Sequence, residues 1–127
     1  MAVGSYGSAI IITMEAATDL SALQYTAVTA AAGKATASTA ASDKAIGVLQ
    51  NKPVAGENAK VMVLGVSKWT AGAALATQGT ALTSGTGGKA LAVATAAGYA
   101  LGISLTTAAA DGGIIRALIN ATGYDSD

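Results

Sequence analysis

The sequence predicts a mainly β protein: a compact small barrel or sandwich built from two related β-rich units, with room for one short helix and an extended N-terminal arm. Short β-branched runs recur at near-regular spacing, Gly turns punctuate them, and no long amphipathic helical pattern intervenes. The third observation is repetition. Gly33-Lys34-Ala35 returns as Gly88-Lys89-Ala90, and Ala45-Ile46-Gly47-Val48 returns as Ala100-Leu101-Gly102-Ile103, both 55 residues later. In the same register Val61-Met62-Val63-Leu64 falls opposite Arg116-Ala117-Leu118-Ile119. The expected organisation is an N-terminal arm and first strand over residues 1–15, then one domain over 16–127 with its repeat at about 28–65 and 83–120.

The elements follow in order. Residues 8–14 (S-A-I-I-I-T-M) read as a strand behind a Gly/Ser-rich lead. Residues 23–29 (L-Q-Y-T-A-V-T) alternate and read as a second strand ending before the turn at Gly33, and residues 34–39 as a half-exposed third. Residues 45–50 form a short apolar strand closed by Asn51-Lys52-Pro53 and the turn at residues 55–58. The strongest run, residues 60–67 (K-V-M-V-L-G-V-S), continues through Trp69. The second unit repeats the pattern with strands at 80–83, 89–95, 99–105 and 114–119, and turns at 84–88 and Asp111-Gly112-Gly113. Ala is the best helix former, so residues 71–78 and 92–99 are the segments that could be helical. The tail, 122–127, is expected to be loose.

Composition sets further limits. Much of the 52% hydrophobic content is Ala, and the aromatics are four Tyr and one Trp, with no Phe. A core so thin favours burial of further apolar surface between subunits. Seven basic and seven acidic residues balance, and no Lys/Arg cluster is dense enough to neutralise a run of phosphates or to hold an anionic membrane; neither is expected as a partner. The apolar run Ile10-Ile11-Ile12 has no basic residue before it and is too short for a signal peptide. The charge-free stretch 90–110 has a bilayer's length, but Thr95, Gly98, Gly102, Ser104 and Thr106 interrupt it, and its repeat partner carries Asp43, Lys44, Lys52 and Pro53.

Reactive chemistry is scarce. With no His and no Cys, nucleophilic triads, thiolate chemistry and the usual soft metal sites are excluded. Glu15 and Glu57 are the only Glu, and the Asp residues fall mostly in turns or the tail, so no catalytic residue, metal site, cofactor or small-molecule substrate is expected. Gly85-Thr86-Gly87-Gly88-Lys89-Ala90 fits a dinucleotide fingerprint in letters only: β-like alternation follows it where a helix must open. Nor is Gly88-Lys89 a phosphate loop, since Thr83 stands where its first Gly belongs and Ala90 where a magnesium-binding hydroxyl belongs. Asp111-Gly112-Gly113 lacks the spaced oxygens of a calcium loop. Trp69 is read as a core plug rather than a partner anchor. Ile10-Ile11-Ile12 is either an interior strand or an edge strand able to pair with a sheet on another protein.

A resemblance emerges from the order of these segments. An N-terminal strand leads to Asp19-Leu20-Ser21, Gln24-Tyr25-Thr26-Ala27-Val28 and Gly33-Lys34-Ala35. Then come Ala45-Ile46-Gly47-Val48-Leu49-Gln50-Asn51, Ala55-Gly56-Glu57, Lys68-Trp69-Thr70-Ala71-Gly72, the second Gly-Lys-Ala and a closing Ile-Ile-Arg-Ala-Leu-Ile strand. From about Ile10 to Ile119 the chain resembles the capsid decoration, or cement, proteins of tailed bacteriophages. The resemblance implies a β-tulip-like fold and a homotrimer on the outer surface of an expanded capsid, made in the host cytoplasm. There it would clamp the major capsid protein against internal DNA pressure and so stabilise the head. It also implies a capsid-contacting arm, here Val3, Ser5, Tyr6, Ser8, Ile10, Ile11, Ile12 and Thr13, but assigns no trimer-contact residue. Two other classes compete: another virion part such as a tail-tube or fibre-base domain, and a surface β-domain acting as a binding module.

Overall fold

The computed structural model describes residues 9–40, 44–93 and 100–120. Nine strands make up the described chain: β1 (Ile10–Glu15), β2 (Ala27–Ala31), β3 (Lys34–Ala37), β4 (Gly47–Leu49), β5 (Asn58–Thr70), β6 (Ala81–Ser84), β7 (Ala90–Ala92), β8 (Gly102–Ser104) and β9 (Ile114–Asn120). They form one curled antiparallel sheet in the order β3-β2-β4-β5-β9-β8-β6-β7, with β1 also on β5. The fold is mainly β, and among the described residues the only helical turn is a 3₁₀ turn at Thr86–Gly88. No described helix is long and apolar enough to cross a membrane.

The helix expected over residues 71–78 does not form. Ala71 bridges Ala90, and Leu75 and Ala108 exchange N–H···O bonds of 2.9 Å in both directions, so this backbone is committed to its neighbours before a helix can use it. Of the second candidate, 92–99, residues 94–99 lie outside the described residues. The strand expected at 23–29 shifts to 27–31 because Tyr25 takes a left-handed conformation (φ 65°) and Thr26 N–H turns back to Leu23.

The sheet order is a palindrome of two units. The ladders superpose when β2 is advanced by 54 residues, β1, β3 and β4 by 55, and β5 by 56. Ala27↔Val48 becomes Ala81↔Ile103, Val48↔Met62 becomes Ile103↔Leu118, and Thr13↔Lys60 becomes Lys68↔Arg116. The parallel bridge Ala16↔Ala35 likewise becomes Ala71↔Ala90. The thirteen residues of β5 therefore serve both units: the first part ends unit one, and the last part begins unit two in the place β1 holds in unit one. Gly65, at φ 132°, marks the junction.

Each unit has its own core at equivalent positions. The first contains Ala16, Leu20, Val28, Ala35, Ala59 and Val61; the second contains Ala71, Leu75, Leu82, Ala90, Ile115 and Ala117. Trp69 is fully buried in the second core and donates its indole N–H to the Gly88 carbonyl at 2.9 Å. It is the core plug the sequence suggested, filling volume that a chain without Phe supplies nowhere else.

Candidate functional site

The antiparallel register maps the outer face of the sheet. β9 alternates strictly, burying Ile115, Ala117 and Ile119 and exposing Ile114, Arg116, Leu118 and Asn120. Residues opposite one another share a face. Side chains therefore line up in rows: Ile10 and Asn120 beside Leu64, Ile103 and Val66 beside Leu118, Arg116 beside Lys68, and Ile114 beside Thr70. Ile10, Ile11, Ile12, Leu64, Ile103, Leu105, Ile114 and Leu118 are all exposed large apolar residues. By register, Ile10, Leu64, Ile103, Leu118 and Ile114 lie on one face crossed by the Lys68–Arg116 row, whereas Ile12 stands opposite the buried Val61, and this face is the candidate interaction surface.

Of the expected arm residues, Ile10, Ile11, Ile12 and Thr13 lie in β1, exposed and paired with β5. Val3, Ser5, Tyr6 and Ser8 lie outside the described residues. The strand pairs with β5 along its length and is tied to β3 just past its end, at the parallel bridge Ala16↔Ala35.

Sequence reasoning passed over the cationic row. Lys68 and Arg116 stand directly opposite each other, an unfavourable like-charge pair, and among the described residues neither has a carboxylate partner; the ion pairs are Lys34–Glu15 at 3.4 Å and Lys89–Asp111 at 3.1 Å. The row borders an open depression of about 260 Å³ lined by Tyr25, Gln50, Val66, Ser67, Lys68 and Arg116. Lys68 Nζ lies 5.6 Å from the Tyr25 ring centroid, a cation–π contact. Tyr25 is pinned there by two backbone bonds, Tyr25 N–H to Leu49 O at 2.8 Å and Thr70 N–H to Tyr25 O at 2.9 Å. Gln50 Nε2 donates to Ser67 Oγ at 2.8 Å and to Val48 O at 3.0 Å, fixing the floor. A lone Arg inside an apolar strand, I-I-R-A-L-I, was the available signal, but only the ladder register shows that Lys68 faces it.

The arrangement presents cationic and hydrogen-bonding groups that can bind and position a partner. Among the described residues no three His, Cys, Asp or Glu side chains gather as metal ligands would. Among the described residues the carboxyl clearly displaced is that of Asp19, where hydrogen bonds from Ser21 hold the pKa below its ordinary 3.8, a turn-stabilising feature on the exposed surface.

No protein-family model matches the sequence, and no curated protein does. The fold is similar to that of the head fiber gp8.5 N base of bacteriophage phi29, with a TM-score of 0.63 at 17% identity, over 92% of this chain and 98% of that one.

Proposed function

We propose that the protein is a non-enzymatic structural component of a phage virion. In this reading it binds the outer surface of the expanded capsid as a homotrimer, contacts the major capsid protein, and stabilises the shell against internal DNA pressure. The observation that carries the reading is the fold shared with a phage head-fibre base along nearly the whole of both chains. The apolar face with its cationic row supports it, because a cement protein needs many modest contacts multiplied by symmetry rather than a reactive centre. Lys68 and Arg116 suit carboxylates on the capsid partner. The same fold likeness favours a second reading, in which the domain is the base on which a fibre stands.

Co-sedimentation of the purified protein with expanded, undecorated capsids, counting copies per shell, tests the reading. Saturation at three copies for each three-fold or quasi-three-fold site is the expected result, and no binding sinks it. The arm is tested by truncation. A deletion through Thr13 removes four of the six residues of β1 and uncovers the edge of β5, so it disturbs the first unit's ladder as well as removing the arm. Deleting residues 1–8 leaves β1 in place. That variant is expected to stay folded and lose capsid binding; normal decoration by it excludes Val3, Ser5, Tyr6 and Ser8 as the capsid contacts.

A further inference from the structure

The two units differ at one place that their equivalence exposes. In the first, the cross-strand row Ala27–Val48–Met62 over β2, β4 and β5 is buried, at 0%, 0% and 7% exposure. Its counterpart in the second, Ala81–Ile103–Leu118 over β6, β8 and β9, lies open, with Ile103 at 43% and Leu118 at 41%. The turn between β6 and β7 covers the Ala27 end of the first row, and Val48 packs into the second core beside it. Gly88 sits against β2 so closely that a Cβ there would meet Ala27 O at 2.6 Å, Ala27 N at 3.0 Å and Thr26 Cβ at 3.3 Å. Trp69 fastens that turn through its bond to the Gly88 carbonyl, and Ser38 Oγ meets Ser84 Oγ at 2.7 Å beside it. Ala27 and Val48 accordingly belong to the second unit's core rather than their own.

The matching turn of the first unit, between β2 and β3 and one residue shorter, stands open among the described residues. Ala31, Ala32, Gly33 and Lys34 are all exposed, and a Cβ on Gly33 would find nothing within 4 Å. Gly33 and Gly88 have the same backbone conformation, φ 77° and 73°. One chain therefore contains one completed turn-on-row contact and both unmatched halves of another.

We propose that a second copy of the chain completes it: the 31–34 turn of one copy seats on the Ala81–Ile103–Leu118 row of the next, with Gly33 approaching Ala81 as Gly88 approaches Ala27. The occupant is set by the molecule itself, because the chain already displays this contact between its own units. Turn and row are different surfaces, so the contact is heterologous rather than two-fold, and with the three copies of the trimer reading it closes into a ring. It deepens the trimer reading above and rests on it for the number three alone; bound capsid is not required. In a closed trimer, contacts within chains and contacts between chains alternate around the ring.

Two variants of the full chain test this. Gly33→Asn keeps the left-handed turn, which Asn tolerates, but adds a side chain where the row must approach. Ile103→Glu places a charge in the middle of the row. Both sites are exposed, so circular dichroism should match the parent and melting should fall only by what assembly contributes, losing its dependence on concentration, while sedimentation velocity should show each variant at about one third of the parent's mass. Mixing the two should then give one-to-one dimers, since the first retains a sound row and the second a sound turn. A parent that is monomeric at every concentration overturns the proposal; if that monomer still decorates capsids, the capsid reading survives without it. A parent oligomer that tolerates both substitutions, or a mixture that stays monomeric, overturns it too. Loss of capsid binding by a protein that still forms the ring would leave this contact standing and remove the capsid reading.

Discussion

Adding a single methyl group at Gly47 and at Gly102 tests whether the two units are built on the same strand crossing. Both glycines occupy the same place in the repeated tetrad, and both lie pressed against the neighbouring ladder strand. At Gly47 an added Cβ would strike the Met62 carbonyl oxygen, with Val61 Cγ1 at 2.7 Å and Met62 C at 2.9 Å. At Gly102 it would meet the Leu118 carbonyl oxygen at 2.5 Å, with Ile119 Cδ1 and Leu118 C at 3.3 Å. Met62 and Leu118 are themselves equivalent residues. A glycine of this kind marks a tight bend at a barrel corner, where only a bare backbone fits.

The magnitude follows from what must move. Leu118 O and Met62 O are backbone atoms held in a ladder, so relief requires strand displacement rather than a rotamer change. Overpacking of this type costs about 1–3 kcal/mol. Gly47→Ala belongs at the upper end, about 3 kcal/mol, because a β-branched side chain also blocks it; Gly102→Ala belongs near 2 kcal/mol. At roughly 4 °C per kcal/mol for a chain of this size, melting should fall by about 12 °C and 8 °C. Gly56→Ala is the control: it lies in open space at φ 86° and carries only the left-handed backbone cost of about 1 kcal/mol. Thermal unfolding followed by circular dichroism reads all three. If Gly47→Ala and Gly102→Ala melt no lower than Gly56→Ala, close approach of the strands is not what holds glycine at these positions.

Three further outcomes are expected. Trp69→Phe should lower stability by about 2 kcal/mol in urea titrations, since it removes the indole donor from a buried Gly88 carbonyl and shrinks the second core. Thr83→Val should be neutral or raise stability by about 1 kcal/mol, because the fully buried Thr83 Oγ1 has no hydrogen-bond partner among the described residues; a loss above 1 kcal/mol would show that the hydroxyl is satisfied. Asp19, with its pKa depressed by the Ser21 bonds, stabilises the fold above its ordinary value of 3.8, and that contribution is lost as pH falls through the lower folded value. Asp19→Ala should therefore converge with the parent in acid melts, and a carboxyl NMR titration of Asp19 should show the depression directly.

Much of the fold could be read because its signals are local. The β5 run, the alternation of residues 114–119 and the Gly-Lys-Ala turns each advertise themselves over a few residues, and the tetrads tie the units together. Where the reading shifted, long-range bonds had overruled propensity: Ala71 and Leu75 pair with Ala90 and Ala108 instead of coiling, and Tyr25 gives up β conformation to bridge Leu49 and Thr70. The site was harder, for the same reason. Lys68 and Arg116 lie 48 residues apart in sequence, and nothing short of the strand register makes them neighbours. Even the repeat hid part of its meaning, because its true offset drifts from 54 to 56 along the chain and an ungapped comparison sets Val61 rather than Lys60 opposite Arg116.

That drift bears on why equivalent positions carry unlike residues. Val48 and Ile103 share a register position, yet one is sealed and the other lies open. The neighbouring row is polar in both units, Thr13–Lys60 in the first and Lys68–Arg116 in the second, where the equivalent strands run side by side. The open row stays aliphatic while the strand around it takes Arg116 and Asn120 on the same face. A duplicated domain has one internal junction and two ends, so each end inherits half of the junction's surface. The aliphatic row at one end and the bare Ala-Ala-Gly turn at the other are those halves, and the force that joins the units within a chain is available to join chains.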